Sequence, residues 1–201
     1  MKVIKPVVFV GALAPFGWLL FRTLTGRLSA NPVEDITLTT GLWAFRFLLI
    51  TLSITPFRRL SGWNPIIQLR RPLGLFAFFY ASLHFLTYLI FDQVFDVASM
   101  LADVAKRPFI TAGFLAFVAM VPLAVTSTKG WIRRLGRTWT RLHRLIYVSA
   151  IAASIHFIWK VKVVIGEPVY YGVAVGLLLL FRIVWIVQRE KGKGKRQIAP
   201  A

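Results

Sequence analysis

The chain has no cysteine, only three histidines, and seven Asp and Glu against 25 Lys and Arg in 201 residues. Without cysteine, disulfides, iron–sulfur clusters and thiolate zinc sites are excluded. With so few carboxylates, imidazole is nearly the only side chain left to hold a transition metal. Catalytic signatures are missing too. There is no HExxH, GxSxG, Walker A or GxGxxG pattern, and GKGK near the C-terminus has neither a third glycine nor a strand before it. Paired acids within apolar runs, which a pore or transporter calls for, are lacking, because the carboxylates fall nearly all between those runs. The formal net charge of +18 does not point to nucleic acid either, since the basic residues recur between apolar runs and form no single patch.

What is abundant is apolar side chain. The hydrophobic share of 57% exceeds the roughly 45–50% of a soluble domain, so the chain reads as a polytopic membrane protein. Six segments approach the roughly 20 mostly apolar residues that a span requires: 7–24, 38–56, 73–91, 109–126, 142–159 and 169–187. Their length and their lack of strict alternation predict helices rather than barrel strands. The expected fold is an all-α membrane protein, a bundle of six transmembrane helices over residues 1–188. Arg46 interrupts the second span. LSA at 28–30 has the look of a cleavage site, but Arg22 and Arg27 stand between it and a long apolar run, so the first segment is read as an uncleaved helix. No internal repeat and no separate soluble domain is visible. Residues 189–201 read as a basic, disordered tail resting near anionic lipid.

Charge then orients the bundle. Lys2 and Lys5, the loop with Arg58, Arg59, Arg70 and Arg71, the loop with Lys129, Arg133, Arg134, Arg137 and Arg141, and the tail with Arg189, Lys191, Lys193, Lys195 and Arg196 all fall on one side. The alternate connections hold Glu34, Asp35, Asp92, Asp96 and Asp103. Both termini are therefore expected in the cytoplasm.

Two histidines, His84 and His156, lie deep in the third and fifth spans, which run in the same direction. At a rise of about 1.5 Å per residue, both fall in the outer half of the bilayer. Two imidazoles at one level on separate helices suit axial ligation of one haem iron, against the plainer reading of polar contacts between helices. His143 stands at the cytoplasmic start of the fifth span, roughly 20 Å from His156 along the axis. At the matching level on the third span is Arg70 or Arg71. Arg70 falls on nearly the same face as His84. His143 and His156 are about 140° apart on an ideal helix, so a bend is needed to aim both inward. Thr87 and Ser154 are the nearby candidates to accept the second ring N–H of each ligand. Tyr80, Phe85, Phe157 and Trp159 are candidates to line a porphyrin. Arg46, read as near the outer end of its span, suits either a haem propionate or the headgroups. Arg182, near the cytoplasmic end of the sixth span, is expected to snorkel.

The runs NPVEDI (31–36), RRPLGLFAFFYASLHFLTY (70–88), KRPFITAG (106–113), TSTKGWIRRLGRTWTRLHRLIYV (126–148) and IHFIW (155–159) resemble the MsrQ (YedZ) family. These are haem-binding membrane subunits of bacterial methionine-sulfoxide reductase systems, within the ferric-reductase-like transmembrane family that also contains the membrane part of NADPH oxidases. The resemblance runs from Pro6 to Gln188 and implies a ferric-reductase-like transmembrane domain. It also implies an inner-membrane b-type cytochrome that passes electrons from the quinone pool to a periplasmic molybdenum-containing methionine-sulfoxide reductase subunit. It places haem b on His84 and His156, with His143 as the third family histidine and Arg70 opposite it, where a second haem is in doubt. FMN is implied without an assignable residue. Unlike NADPH oxidases, the chain has one histidine on its third span and ends before any FAD or NADPH domain, so it reads as an electron-transfer subunit rather than a complete enzyme. Two other classes compete: a stand-alone ferric-reductase-like or oxidase-like cytochrome, and a non-redox helical membrane protein.

Overall fold

The computed structural model describes residues 3–161 and 166–198. Lys2 and the side chains of Arg189, Lys191, Lys193, Lys195 and Arg196, which entered the charge argument, lie outside the described residues. Among the described residues every regular element is helical: α1 (Ile4–Leu24), α2 (Pro32–Ser61), a 3-10 turn (Asn64–Leu69), α3 (Arg70–Thr87), a π-turn (Tyr88–Asp92), α4 (Val97–Lys106), α5 (Pro108–Val125), α6 (Lys129–Leu135), α7 (Arg137–Leu142), α8 (Leu145–Val161) and α9 (Glu167–Ile198). Six helical stretches are long and apolar enough to cross a membrane, at Ile4–Leu24, Pro32–Ser61, Asn64–Asp92, Pro108–Val125, Arg137–Lys160 and Glu167–Gln188. The protein is a multi-pass helical membrane protein.

Hydropathy locates the middle of each span, while polar chemistry sets its ends. α2 begins at Pro32 rather than Leu38 because Asn31 caps it, its side chain accepting from the Glu34 amide at 3.3 Å. Pro32, Glu34 and Asp35 suit the first turn, where a free amide is unneeded and negative charge faces the helix dipole. Gly62, at φ 70°, ends the helix in the left-handed region. Arg46 consequently stands at the middle of α2 and not near its outer end. The backbone of α9 is helical to Ile198, where Arg, Glu, Lys and Gln favour helix and Gly192 and Gly194 oppose it. Short helices also occupy two connections read as loops: α4, capped by Asp96 through the amides of Ala98 and Ser99, and the pair α6–α7, parted at Gly136.

The up-and-down order gives the bundle two unlike ends. One, the acidic end, gathers Glu34, Asp35, Asp92, Asp96, Asp103 and Glu167 at the start of α2, between α3 and α5, and at the start of α9. The other, the basic end, gathers the arginines of the last turn of α2, the first turn of α3, and α6 and α7. α2 packs most extensively on α3, and α5 on α8; the two pairs meet mainly through α3 and α5, and α9 closes against α8 and α2. Ala77 and Ala150 have no exposed surface, small residues of the kind that let membrane helices approach closely. Val7, Phe9, Val10, Leu177, Leu180 and Ile183 stay exposed on the outside, a surface suited to lipid.

One hydroxyl enters the backbone of α1, which is also tied to α2 by the Arg22–Asp35 pair and to α3 by the Phe9–Phe76 and Phe16–Phe79 ring contacts. Tyr80, only 1% exposed, donates to the Ala12 carbonyl at 2.8 Å and accepts from the Phe16 amide at 3.0 Å. Those are the two groups that an unbroken helix pairs with each other. Next to Pro15, the ring hydroxyl stands inside the α1 ladder. Tyr80 thus points at α1 and not at a pocket beside His84.

Candidate functional site

His84 extends from α3 toward α2, where its Nδ1 lies 2.9 Å from the Thr37 carbonyl oxygen. His156 extends from α8 toward α5, where its Nδ1 lies 2.6 Å from the Phe109 carbonyl oxygen. A carbonyl only accepts, so each Nδ1 carries the proton and each Nε2 keeps its lone pair. The two rings face each other across the helix pairs with centroids 6.0 Å apart and planes 76° apart. Each keeps accessible surface although it lies between helices.

One glycine backs each ring. A Cβ on Gly41 would come within 2.9 Å of the His84 Nδ1, and one on Gly113 within 2.6 Å of the His156 Nδ1. Gly41 lies one turn after Thr37, and Gly113 one turn after Phe109. Any larger residue would occupy the place of the imidazole.

The two half-sites repeat one another. Each histidine lies 47 residues after the carbonyl it bonds, and each glycine lies four after that carbonyl. The hexapeptide around His84, ASLHFL at 81–86, recurs around His156 as ASIHFI at 153–158. The chain therefore does carry an internal repeat. It covers helix pairs of different length and shares few identical side chains outside the hexapeptide, so composition along the chain does not show it.

Thr87 and Ser154 are not the partners of the rings. Their hydroxyls return to their own helices, bonding Leu83 and Ala150, as Thr and Ser commonly do in helices. Phe85 stacks on Phe117, and Phe157 packs against Phe45 and Tyr171. Trp159 is 52% exposed and belongs to the bundle exterior. Lys160, which follows His156 by one turn, lies within electrostatic reach of both imidazoles. Its place one turn beyond a candidate ligand was the available signal. Arg46 sits over the Trp43 ring at 4.9 Å, and its Nε donates to the Tyr171 hydroxyl at 2.8 Å.

The structure brings His143 and Arg70 together at the basic end, apart from the facing pair. His143 closes α7, and the helix restarts at Leu145. This break supplies the bend that an unbroken helix lacks. The His143 ring stacks on Trp139 at 3.9 Å, its Nε2 lies 3.0 Å from the Thr126 hydroxyl, and Arg70 is within electrostatic reach. Arg182 does not snorkel. It is 9% exposed and reaches inward to the Tyr147 hydroxyl and, at 3.1 Å, to the Leu52 carbonyl.

Six membrane-crossing helices around two facing, carbonyl-anchored imidazoles define a membrane-embedded helix bundle with a paired-histidine core. Residues 40–154 match the family described as Ferric reductase like transmembrane component. A heme-binding subunit MsrQ of protein-methionine-sulfoxide reductase from Herminiimonas arsenicoxydans is 54% identical over 94% of this chain and 88% of its own length. MsrQ proteins of the same description from Bordetella pertussis, 48% identical over 90% of this chain and 88% of theirs, and from Ralstonia nicotianae, 46% identical over 92% and 87%, are similar along the same stretch. No solved structure matches. The chain belongs to the MsrQ family of ferric-reductase-like transmembrane proteins.

Proposed function

We propose that this chain is the haem-binding membrane subunit of a methionine-sulfoxide reductase system, carrying electrons across the bacterial inner membrane. The observation that carries the reading is the facing pair. Two imidazoles bound to opposite sides of one metal, each through a bond of about 2 Å, hold their ring centres about 6 Å apart, and the rings of His84 and His156 are 6.0 Å apart. Their Nδ1 protons are already committed to carbonyls, which leaves Nε2 of each as the ligand atom. His84 and His156 would hold haem b, which would supply a one-electron centre suited to transfer rather than to bond chemistry. Lys160 offers positive charge to a haem carboxylate at the acidic end. Thr37 and Phe109 fix the tautomers, and Gly41 and Gly113 set how deeply each ring sits.

In this reading the basic end and both termini face the cytoplasm, with the basic continuation of α9 beside the inner leaflet. Electrons arrive there from the quinone pool, directly or through a second centre at His143 and Arg70, which is either a further haem or FMN. They leave at the acidic end toward a periplasmic, molybdenum-containing methionine-sulfoxide reductase subunit that repairs oxidised proteins. The chain has no substrate site of its own in this scheme.

The test is a dithionite-reduced minus oxidised spectrum of the purified chain. A b-type signal is expected, and it should be lost in His84→Ala and in His156→Ala. Reduced quinone should reduce the same signal without sulfoxide turnover until the soluble partner is added. Full haem content in both alanine variants, or turnover by this chain alone, would overturn the reading.

A further inference from the structure

We propose that the basic end of the bundle holds a buried oxyanion site built on Arg182 with Arg70 and Tyr147, which takes the carboxylate or phosphate of a ligand seated beside His143. The inference rests on the second centre proposed above at His143 and Arg70 and deepens it, but it requires neither the His84–His156 pair nor a haem held there.

Charge accounting leads to it. Arg182 is buried at 9% exposure, and its guanidinium is only partly satisfied: one terminal nitrogen donates to the Tyr147 hydroxyl, the other to the Leu52 carbonyl at 3.1 Å, and the buried Nε has no partner. None of those partners carries negative charge. Arg70 is a second cation within electrostatic reach of Arg182 and Tyr147. The ion pairs among the described residues are Arg22–Asp35 and Arg107–Asp103, both at the acidic end. Six of the seven carboxylates of the chain lie at that end, and the side chain of the seventh, Glu190, lies outside the described residues. A buried charge is tolerated when it is paired and hydrogen-bonded. Two neighbouring guanidinium groups without a described acid at their end of the bundle call for an anion.

Two further observations bear on the shape of the site. The other buried side-chain polar atoms without a partner among the described residues are Thr55 Oγ1 and Ser149 Oγ. Thr55 follows Leu52 by three residues on nearly the same face of α2, whereas Ser149, two residues after Tyr147, lies on the other side of α8. A guanidinium fork matches the planar oxygens of a carboxylate or the face of a phosphate. The Trp139–His143 stack, with rings 3.9 Å apart, adds an aromatic surface for the rest of a flat ligand. A haem propionate, the phosphate of a flavin mononucleotide and the phosphate of an anionic lipid share this chemistry.

The experiment uses the full chain purified in detergent after haem, FMN and phosphatidylglycerol have all been supplied. Haem, FMN and lipid phosphorus per chain are then counted in the wild type, Arg182→Gln and Arg182→Lys. Retention of one of the three is expected to fall at least tenfold in Arg182→Gln and less in Arg182→Lys, with the haem signal that depends on His84 and His156 unchanged. The component that falls names the source of the oxyanion. Equal retention of all three in both variants overturns the proposal. So does loss of every component together in both variants, which would make Arg182 a clamp between helices. If Arg182→Gln alone loses everything, Arg182→Lys decides: selective loss of one component supports the site, and full retention overturns it. Failure of the His84–His156 signal in the wild type would instead count against the haem reading, so the two ideas fail separately.

Discussion

Gly113 touches the imidazole of His156 so closely that a methyl group in place of its hydrogen would lie 2.6 Å from Nδ1. The same ring nitrogen is bonded to the Phe109 carbonyl one turn earlier on α5. Glycine and carbonyl together form a notch that holds the ring edge-on.

Substituting alanine at that notch should push His156 off its acceptor. Gly113→Ala is expected to cost about 1–3 kcal/mol, the usual range for overpacking, and to reduce haem retention. Gly41→Ala, with a contact of 2.9 Å to His84, should do the same less severely. Gly17→Ala on α1, where a Cβ meets nothing within 4 Å, is the control and should be neutral or slightly stabilising. Haem absorbance per chain and thermal unfolding in detergent check the order of effects.

Tyr80→Phe removes the hydroxyl inserted in α1 and leaves the Ala12 carbonyl and Phe16 amide to find each other. A loss of about 1–3 kcal/mol is expected, concentrated in α1. Hydrogen exchange should show faster opening of the amides near Phe16, with the His84-dependent spectrum retained. Unchanged exchange there would mean that the helix closes its own ladder once the ring hydroxyl is gone.

At the acidic end, Asp96 caps α4, and its carboxyl is held below the ordinary carboxylate value of 3.8, first by the Ser99 backbone amide and then by the Ser99 hydroxyl. A carboxyl whose folded value is depressed contributes fully above its unfolded value and loses that contribution as pH falls through the folded one. Protection of the α4 amides should therefore be flat at neutral pH and decline only below 3.8. In Asp96→Ala the protection should be low at every pH, which amide exchange on the same peptide reads directly.

Reporter fusions test the orientation drawn from charge. A reporter in the α6–α7 segment or after α9 should be active only as a cytoplasmic fusion, and one within α4 only as a periplasmic fusion. A periplasmic signal after α9 would overturn the orientation drawn from charge or the count of six spans.

The sequence was readable where chemistry depends on side-chain identity. Apolar runs marked the middle of every span, and scarce histidines marked the two rings that the structure brings face to face. It was opaque where the main chain acts. Thr37 and Phe109 contribute carbonyl oxygens, which any residue carries, so their types leave no mark, whereas the hydroxyls of Thr87 and Ser154 stand out in the sequence and bond their own helices. An angle of about 140° between His143 and His156 holds only for an unbroken helix, and the helix breaks between Leu142 and Leu145. Arg182 was read from its distance to the helix end, yet Tyr147 and Leu52 lie on other helices, and only packing reveals that they draw it inward. Gly41 and Gly113 were visible as letters, but their role depends on which ring crosses them.

In the haem site proposed above, the two half-sites would also set how a ring enters. α2 and α5 run one way and α3 and α8 the other, so half a rotation about the bundle axis exchanges the walls of His84 and Gly41 for those of His156 and Gly113. A porphyrin whose two faces differ only in the order of small edge substituents meets nearly the same surroundings either way up. Insertion should give two isomers of similar energy, separated mainly by unlike neighbours such as the Phe109 ring, 6.1 Å from His156, where Thr37 stands in the other half. Freshly reconstituted protein should then show doubled ring-methyl resonances that drift toward an uneven ratio, a slow disorder built into the walls of the site.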